Sequence, residues 1–183
     1  CDGPPDVDLD VMRPRQTLPE LSNRLLTAMD RCLADANPDA VIVQGDTTSA
    51  FLSALAAFYR GVPVAHVEAG LRTPSILSPF PQEMNRLLTS TLSFLHFAPT
   101  DGARDALLSE GVPANRVYVT GNPVVDALHA IRANGMLSKP AVTVAPGERL
   151  VLVTMHRRES WGDIRQLCSA FRTVVEQCGD MRL

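Results

Sequence analysis

At 183 residues the chain is long enough for one domain or for parts of two. Its 45% hydrophobic and 20% charged residues are ordinary for a globular protein. A net charge of −3 excludes a broadly basic face and with it bulk nucleic-acid binding through phosphates, and no apolar run is long enough to span a membrane.

The first predicted element is a helix. Thr17-Leu18-Pro19-Glu20 has the T-x-x-E form of a capping box, and Leu18, Leu21, Leu25, Met29, Cys32 and Leu33 follow at helical spacing to about residue 36. Val41 to Val43 is a short buried strand. Thr47 to Tyr59, apolar nearly all round, is a buried helix stopped by Gly61. Val64 to Val67 is the next strand. Pro81 opens a helix carrying Met84, Leu87 and Leu88, and the run to Ala98 ends as a strand.

Asp101 to Glu110 is a helix stopped by Gly111, and Val117 to Val119 is a strand. Gly121-Asn122-Pro123 breaks the pattern before a helix over 124–131, and residues 134–148, with two Pro and two Gly, read as a long loop. Leu150 to Thr154 is a strand. Ile164, Leu167, Cys168, Phe171, Val174, Val175 and Cys178 trace one face of a closing helix before Gly179. Met181 onward is the onset of a further strand, and with no initiator Met both ends read as cut. Short apolar strands alternating with helices predict an α/β fold with a parallel sheet covered on both faces.

The cysteines, Cys1, Cys32, Cys168 and Cys178, have no CxxC spacing. Cys32 and Cys168 lie on apolar helix stripes and read as small core residues in a reducing compartment. With no signal peptide, a cytoplasmic location is expected. There is no G-x-G-x-x-G after a strand, no Walker loop and no metal-ligand spacing, so neither cofactor nor metal is expected.

Ligands of parallel sheets bind beyond the carboxyl ends of the strands. Three polar groups fall there: Asp46 in Gly45-Asp46-Thr47-Thr48, Glu68 beside His66 and Arg72, and His156 in His156-Arg157-Arg158-Glu159. Each also has a purely structural reading. Asp46 could cap the next helix, Glu68 could pair with Arg72, and His156 could belong to a solvated charge run. His96 and His129 carry only the structural reading.

Five segments occur in fixed order: Gly-Asp-Thr-Thr at 45–48, His-Val-Glu-Ala-Gly-Leu-Arg-Thr at 66–73, Ser-Pro-Phe-Pro-Gln-Glu-Met-Asn-Arg at 78–86, Thr-Gly-Asn-Pro at 120–123 and His-Arg-Arg-Glu-Ser at 156–160. Together they closely resemble the non-hydrolysing UDP-N-acetylglucosamine 2-epimerase family, of which this chain resembles a central fragment. The resemblance implies two Rossmann-like domains of the glycosyltransferase-B type, both incomplete here, with residues 1–120 the later part of the first and 121–183 the start of the second.

The resemblance further implies interconversion of UDP-N-acetylglucosamine and UDP-N-acetylmannosamine, for cell-surface polysaccharide biosynthesis. UDP is eliminated and re-added through 2-acetamidoglucal. Asp46, Glu68 and His156 match active-site positions. Gln82, Glu83 and Arg157 match substrate-binding or regulatory ones. A homodimer and a second, activating UDP-N-acetylglucosamine belong to the same expectation. The family usually has two acidic residues after Pro-Phe-Pro; here the first is Gln82. The alternatives are a hydrolysing epimerase releasing free N-acetylmannosamine, a glycosyltransferase of the same architecture, and an inactive truncated remnant. The fragment by itself is expected to be inactive.

Overall fold

The structure is a computed structural model and describes residues 4–136, 142–154 and 163–182. It comprises two compact units, Cys1–Ile131 and Arg132–Leu183.

In the first unit, α1 (Leu18–Ala36) opens on the expected capping box. The Glu20 N–H donates to Thr17 Oγ1, and the Thr17 N–H donates back to Glu20 Oε2 at 2.7 Å. Then come β1 (Val41–Gln44), α2 (Thr48–Tyr59), β2 (Val64–Val67), α3 (Gln82–Leu92), β3 (Leu95–Ala98) and α4 (Asp101–Ser109). A 3-10 turn at Ala114–Arg116 leads into β4 (Val117–Val119), followed by α5 (Pro123–Ala133). The four strands form one sheet in the order β1-β2-β3-β4, all parallel.

The core is built from small residues. Ala50, Ala54, Ala56 and Ala57 of α2 pack with Leu33, Val43 and Val64, and their missing bulk lets this helix lie close to both α1 and the sheet. A second cluster, Ala69, Ala98, Ala103, Leu107 and Val117, lies under α4. Gly70 permits that contact: an added Cβ there would stand 2.2 Å from the Ala103 carbonyl oxygen, and its φ of +85° is one that side chains disfavour.

The second unit pairs β5 (Arg149–Leu150) in parallel with β6 (Met181–Arg182), with α6 (Ile164–Cys178) connecting them and Gly179 ending that helix. The strand expected over 150–154 is shorter. Its ladder closes where the Val151 N–H donates to the Arg182 carbonyl, and Leu152 is 89% exposed. Periodicity marks residues able to form a strand, but a strand persists only where a partner backbone accompanies it. Cys168 is exposed rather than in a core, and Cys32 is half-buried. Among the described residues, no helix is long and apolar enough to cross a membrane.

One row across the sheet, Val43-His66-His96-Val117, places two histidines between apolar neighbours. His66 is 0% and His96 1% exposed. Burial lowers the pKa of both; for His96 it falls to about 4, with the adjacent His66 adding to the effect. Both rings are therefore neutral in the folded chain under conditions where an ordinary histidine, of pKa 6.5, begins to charge. The unfolded chain binds the extra protons, so this contribution to stability is complete above pH 6.5 and is lost as the pH falls from there towards 4. Urea unfolding should show stability declining between pH 7 and pH 5. His96→Gln should flatten that slope; an equally steep decline in the variant would contradict the assignment.

Candidate functional site

The site grows from the carboxyl ends of β1 and β2. The parallel ladder continues past both strands: the Gly45 N–H donates to the Val67 carbonyl, and the Ala69 N–H to the Phe97 carbonyl. Asp46 and Glu68 therefore leave neighbouring strands at the same level of the sheet. His66 fixes the first turn from below, its Nε2 lying 2.8 Å from the Gly45 carbonyl oxygen. An added Cβ on Gly45 would come 3.7 Å from Glu68 Oε2, so the Glu68 carboxylate lies over the glycine that precedes Asp46. The structure thus brings Asp46 and Glu68 together around one glycine, and both remain half-buried rather than sealed.

Each carboxylate is held by a different brace. Asp46 is not the cap of α2; Thr47 is, its Oγ1 accepting from the Ala50 N–H. Asp46 Oδ2 instead accepts from Arg86 Nη2 at 2.6 Å, and its carbonyl accepts from Asn85 Nδ2 at 2.9 Å. Arg86 Nη1 also donates to Glu83 Oε2 at 2.9 Å, and Glu83 is 1% exposed. One guanidinium thus joins a buried carboxylate to one whose side chain is 28% exposed.

Glu68 does not pair with Arg72, which lies in a two-pronged ion pair with Glu110, both contacts at 2.7 Å, and donates to Ser90 Oγ. Glu68 Oε1 accepts from Asn122 Nδ2 at 3.3 Å, and Asn122 Oδ1 accepts from the Val124 N–H in the first turn of α5. The Glu68 backbone has a φ of +66°, a left-handed conformation rare for residues other than glycine, which costs on the order of 1–3 kcal/mol and is concentrated at functional sites.

Helix α3 supplies most of this bracing through an unexpected face. Met84 and Leu88 are 37% and 38% exposed, while Glu83, Asn85, Thr89 and Ser90 are buried. Gln82, in its first turn, has a buried Oε1 with no partner among the described residues. His156 and Arg157 lie outside the described residues. No group of three or more metal-ligating side chains occurs among the described residues.

Arg86, Asn85, Asn122 and His66 complete the site without having been singled out as site residues. All four fall inside the sequence segments that carry the family resemblance. Their spacing gave no signal, because the contacts join residues 21 to 54 positions apart.

A family model described as UDP-N-acetylglucosamine 2-epimerase matches residues 3–183. The UDP-N-acetylglucosamine 2-epimerase of Bacillus subtilis is 43% identical over 180 residues, covering 98% of this chain and 47% of that protein. Among solved structures, a UDP-GlcNAc 2-epimerase from Neisseria meningitidis bound to UDP-GlcNAc is 48% identical, with a TM-score of 0.68 over 72% of this chain and 36% of that one. One from Methanocaldococcus jannaschii, in complex with UDP-GlcNAc and UDP, is 30% identical, with a TM-score of 0.79 over 98% of this chain and 50% of that one. The chain spans about half the length of the curated relatives it matches.

Removing Arg86 should leave Glu83 buried beside no cation, a change that commonly costs about 3–5 kcal/mol. Arg86→Met should therefore lower stability strongly, and adding Glu83→Gln should restore most of the loss. A denaturation cycle in which the two changes simply add would show that the pair is not coupled.

Proposed function

The chain belongs to the UDP-N-acetylglucosamine 2-epimerase family, and from that premise we propose that the whole protein interconverts UDP-N-acetylglucosamine and UDP-N-acetylmannosamine. The observation that carries the proposal is the pair of carboxylates, Asp46 and Glu68, held around Gly45 by separate braces at the carboxyl end of the sheet.

The chemistry asks for such groups. C2 of the sugar has no adjacent carbonyl, so its hydrogen is not acidic. Elimination solves this: the C2–H bond breaks as the C1–O bond to UDP breaks, and the electron pair becomes the C1–C2 double bond of 2-acetamidoglucal. UDP then adds back at C1 while a proton arrives at C2 on the other face. Proton transfer at C2 requires positioned acid–base groups, and Asp46 and Glu68 are our candidates. Holding each by a side chain from another element fixes its orientation without covering it. The departing diphosphate requires donors; we assign His156 to that role and Arg157 to a phosphate or regulatory contact.

The same reading divides the protein into two Rossmann-like domains at residues 120 and 121 and makes the whole protein a cytoplasmic homodimer. It also gives Gln82 a role. Its buried Oε1, without a partner among the described residues, is suited to accept a hydrogen bond from a ligand N–H or hydroxyl. A neutral amide lacks the charge-assisted strength of a carboxylate. We therefore assign Gln82 to a weakened response to a second, activating UDP-N-acetylglucosamine.

In the whole protein, Asp46→Asn and Glu68→Gln should each lower turnover by roughly 10²–10⁴-fold, and loss of the group that returns the proton should release 2-acetamidoglucal and UDP. NMR of the reaction mixture reads both. Near-normal turnover in the two variants, with no glucal, would remove the proton-transfer assignment, and free N-acetylmannosamine as the wild-type product would replace epimerisation by hydrolysis. Gln82→Glu should lower the activator concentration required with little change in maximal rate. A large rise in maximal rate at saturating activator would place residue 82 in the chemistry instead.

A further inference from the structure

The residue before α5 answers to two neighbours at once. Pro123, the first residue of that helix, has no backbone N–H, so Val124 carries the first of the helix's unpaired donors. Asn122 Oδ1 accepts it at 3.1 Å, and the Asn122 carbonyl accepts from the Val125 N–H at 2.9 Å. The Asn122 side chain thus caps α5. Its other end, Nδ2, lies 3.3 Å from Glu68 Oε1. Both residues belong to the first compact unit.

The two contacts agree on one orientation of the amide. An amide oxygen only accepts and an amide nitrogen only donates. The Val124 N–H requires the oxygen, so the nitrogen faces Glu68, where an ionised carboxylate requires a donor. Capping alone does not select Asn, because Asp and Ser cap a helix equally well. Asp here would set one carboxylate against another. The Ser hydroxyl ends one bond short of the amide nitrogen. Asn closes the helix and donates to Glu68 together, so the identity of residue 122 follows from the carboxylate rather than from the helix.

The consequence for Glu68 is directional. The torsion beside a carboxylate is soft, so an unbraced one turns. Asn122 engages Oε1, while Oε2, the oxygen above Gly45, has no hydrogen-bond partner among the described residues. At 3.3 Å the bond is longer than a usual charge-assisted one, so it supplies direction more than strength. Asp46 is divided in the same way: Arg86 takes Oδ2 and leaves Oδ1 without a partner among the described residues.

We propose that Asn122 is a positioning residue for the reaction, engaging Glu68 Oε1 so that Oε2 is presented as the oxygen that exchanges the proton at C2. When Glu68 takes that proton, the C2–H electron pair enters the C1–C2 double bond and the C1–O pair leaves with UDP. When it returns the proton, the flow is reversed. The proposal rests on the reading of Glu68 as a proton-transfer group.

The test is steady-state kinetics of the whole protein carrying Asn122→Asp, Asn122→Ser, Glu68→Gln and the two double variants. Each Asn122 variant keeps a helix cap and should lower kcat by roughly 10–100-fold, the scale of a misplaced group, with little change in KM. Adding either to Glu68→Gln should cost nothing further, because residues that act as one unit do not contribute separately. A merely structural role would multiply the two losses. Multiplied losses, or near-normal kcat in both Asn122 variants while Glu68→Gln is impaired, would overturn this proposal alone. Near-normal turnover in Glu68→Gln would overturn the reading beneath it as well. Urea unfolding checks the contact without turnover: Asn122→Asp should lower the midpoint, and adding Glu68→Gln, whose amide donates to the introduced carboxylate, should restore most of the loss. Two changes that simply add would overturn the proposal equally.

Discussion

The ion-pair chain Glu83–Arg86–Asp46 governs the candidate site. A carboxylate as buried as that of Glu83 is costly without a cation, and Arg86 is the cation beside it. The same guanidinium reaches the end of β1, 40 residues away in sequence, and holds Asp46 at 2.6 Å. Packing α3 against the sheet and aiming Asp46 are thus one event. Two carboxylates share one guanidinium, so the group retains one net negative charge, with Asp46 its more exposed end. Exposed ion pairs contribute little, but a network with a buried member constrains orientation, which a reacting carboxylate needs.

Glu68 is fixed by different means. Its left-handed backbone lies in a turn whose following residues, Ala69 and Gly70, are locked under α4, and a side chain at Gly70 would collide with Ala103. The strained conformation is thus held from its carboxyl side by packing, while Asn122 braces the carboxylate from the loop after β4. Because Asn122 also bonds to the first turn of α5, the position of Glu68 is tied to where that helix begins. The two carboxylates reach the same glycine from unrelated constraints, so a change to one brace need not disturb the other.

Much of this fold was legible in the sequence. The capping box at Thr17 and Glu20, the strand at 64–67 and the nearly all-apolar α2 carry local signals, and each appears where those signals put it. The placement of Asp46 and Glu68 beyond neighbouring strand ends was legible because short apolar strands mark where a parallel sheet's carboxyl ends lie. The buried face of α3 was not. Glu83, Asn85, Thr89 and Ser90 are polar, so no apolar stripe marks them as an interior face, and contacts such as that of Asn85 with Asp46 are with residues distant in sequence. The shortened β5 and the exposed Cys168 fail for a related reason, since periodicity reports what a segment is able to bury and not what stands opposite it.

The central claim is that the carboxylates of Asp46 and Glu68 address C2 of a sugar nucleotide. A crystal structure of the whole protein with UDP-N-acetylglucosamine bound measures this directly, as the distances from C2 to the two carboxylates. The account predicts C2 at the cleft beyond β1 and β2, with a carboxylate oxygen of Asp46 or Glu68 about 3–3.5 Å away, the separation of groups poised to react. A sugar ring seated elsewhere, with C2 out of reach of both carboxylates while Arg86 still holds Asp46, would contradict it.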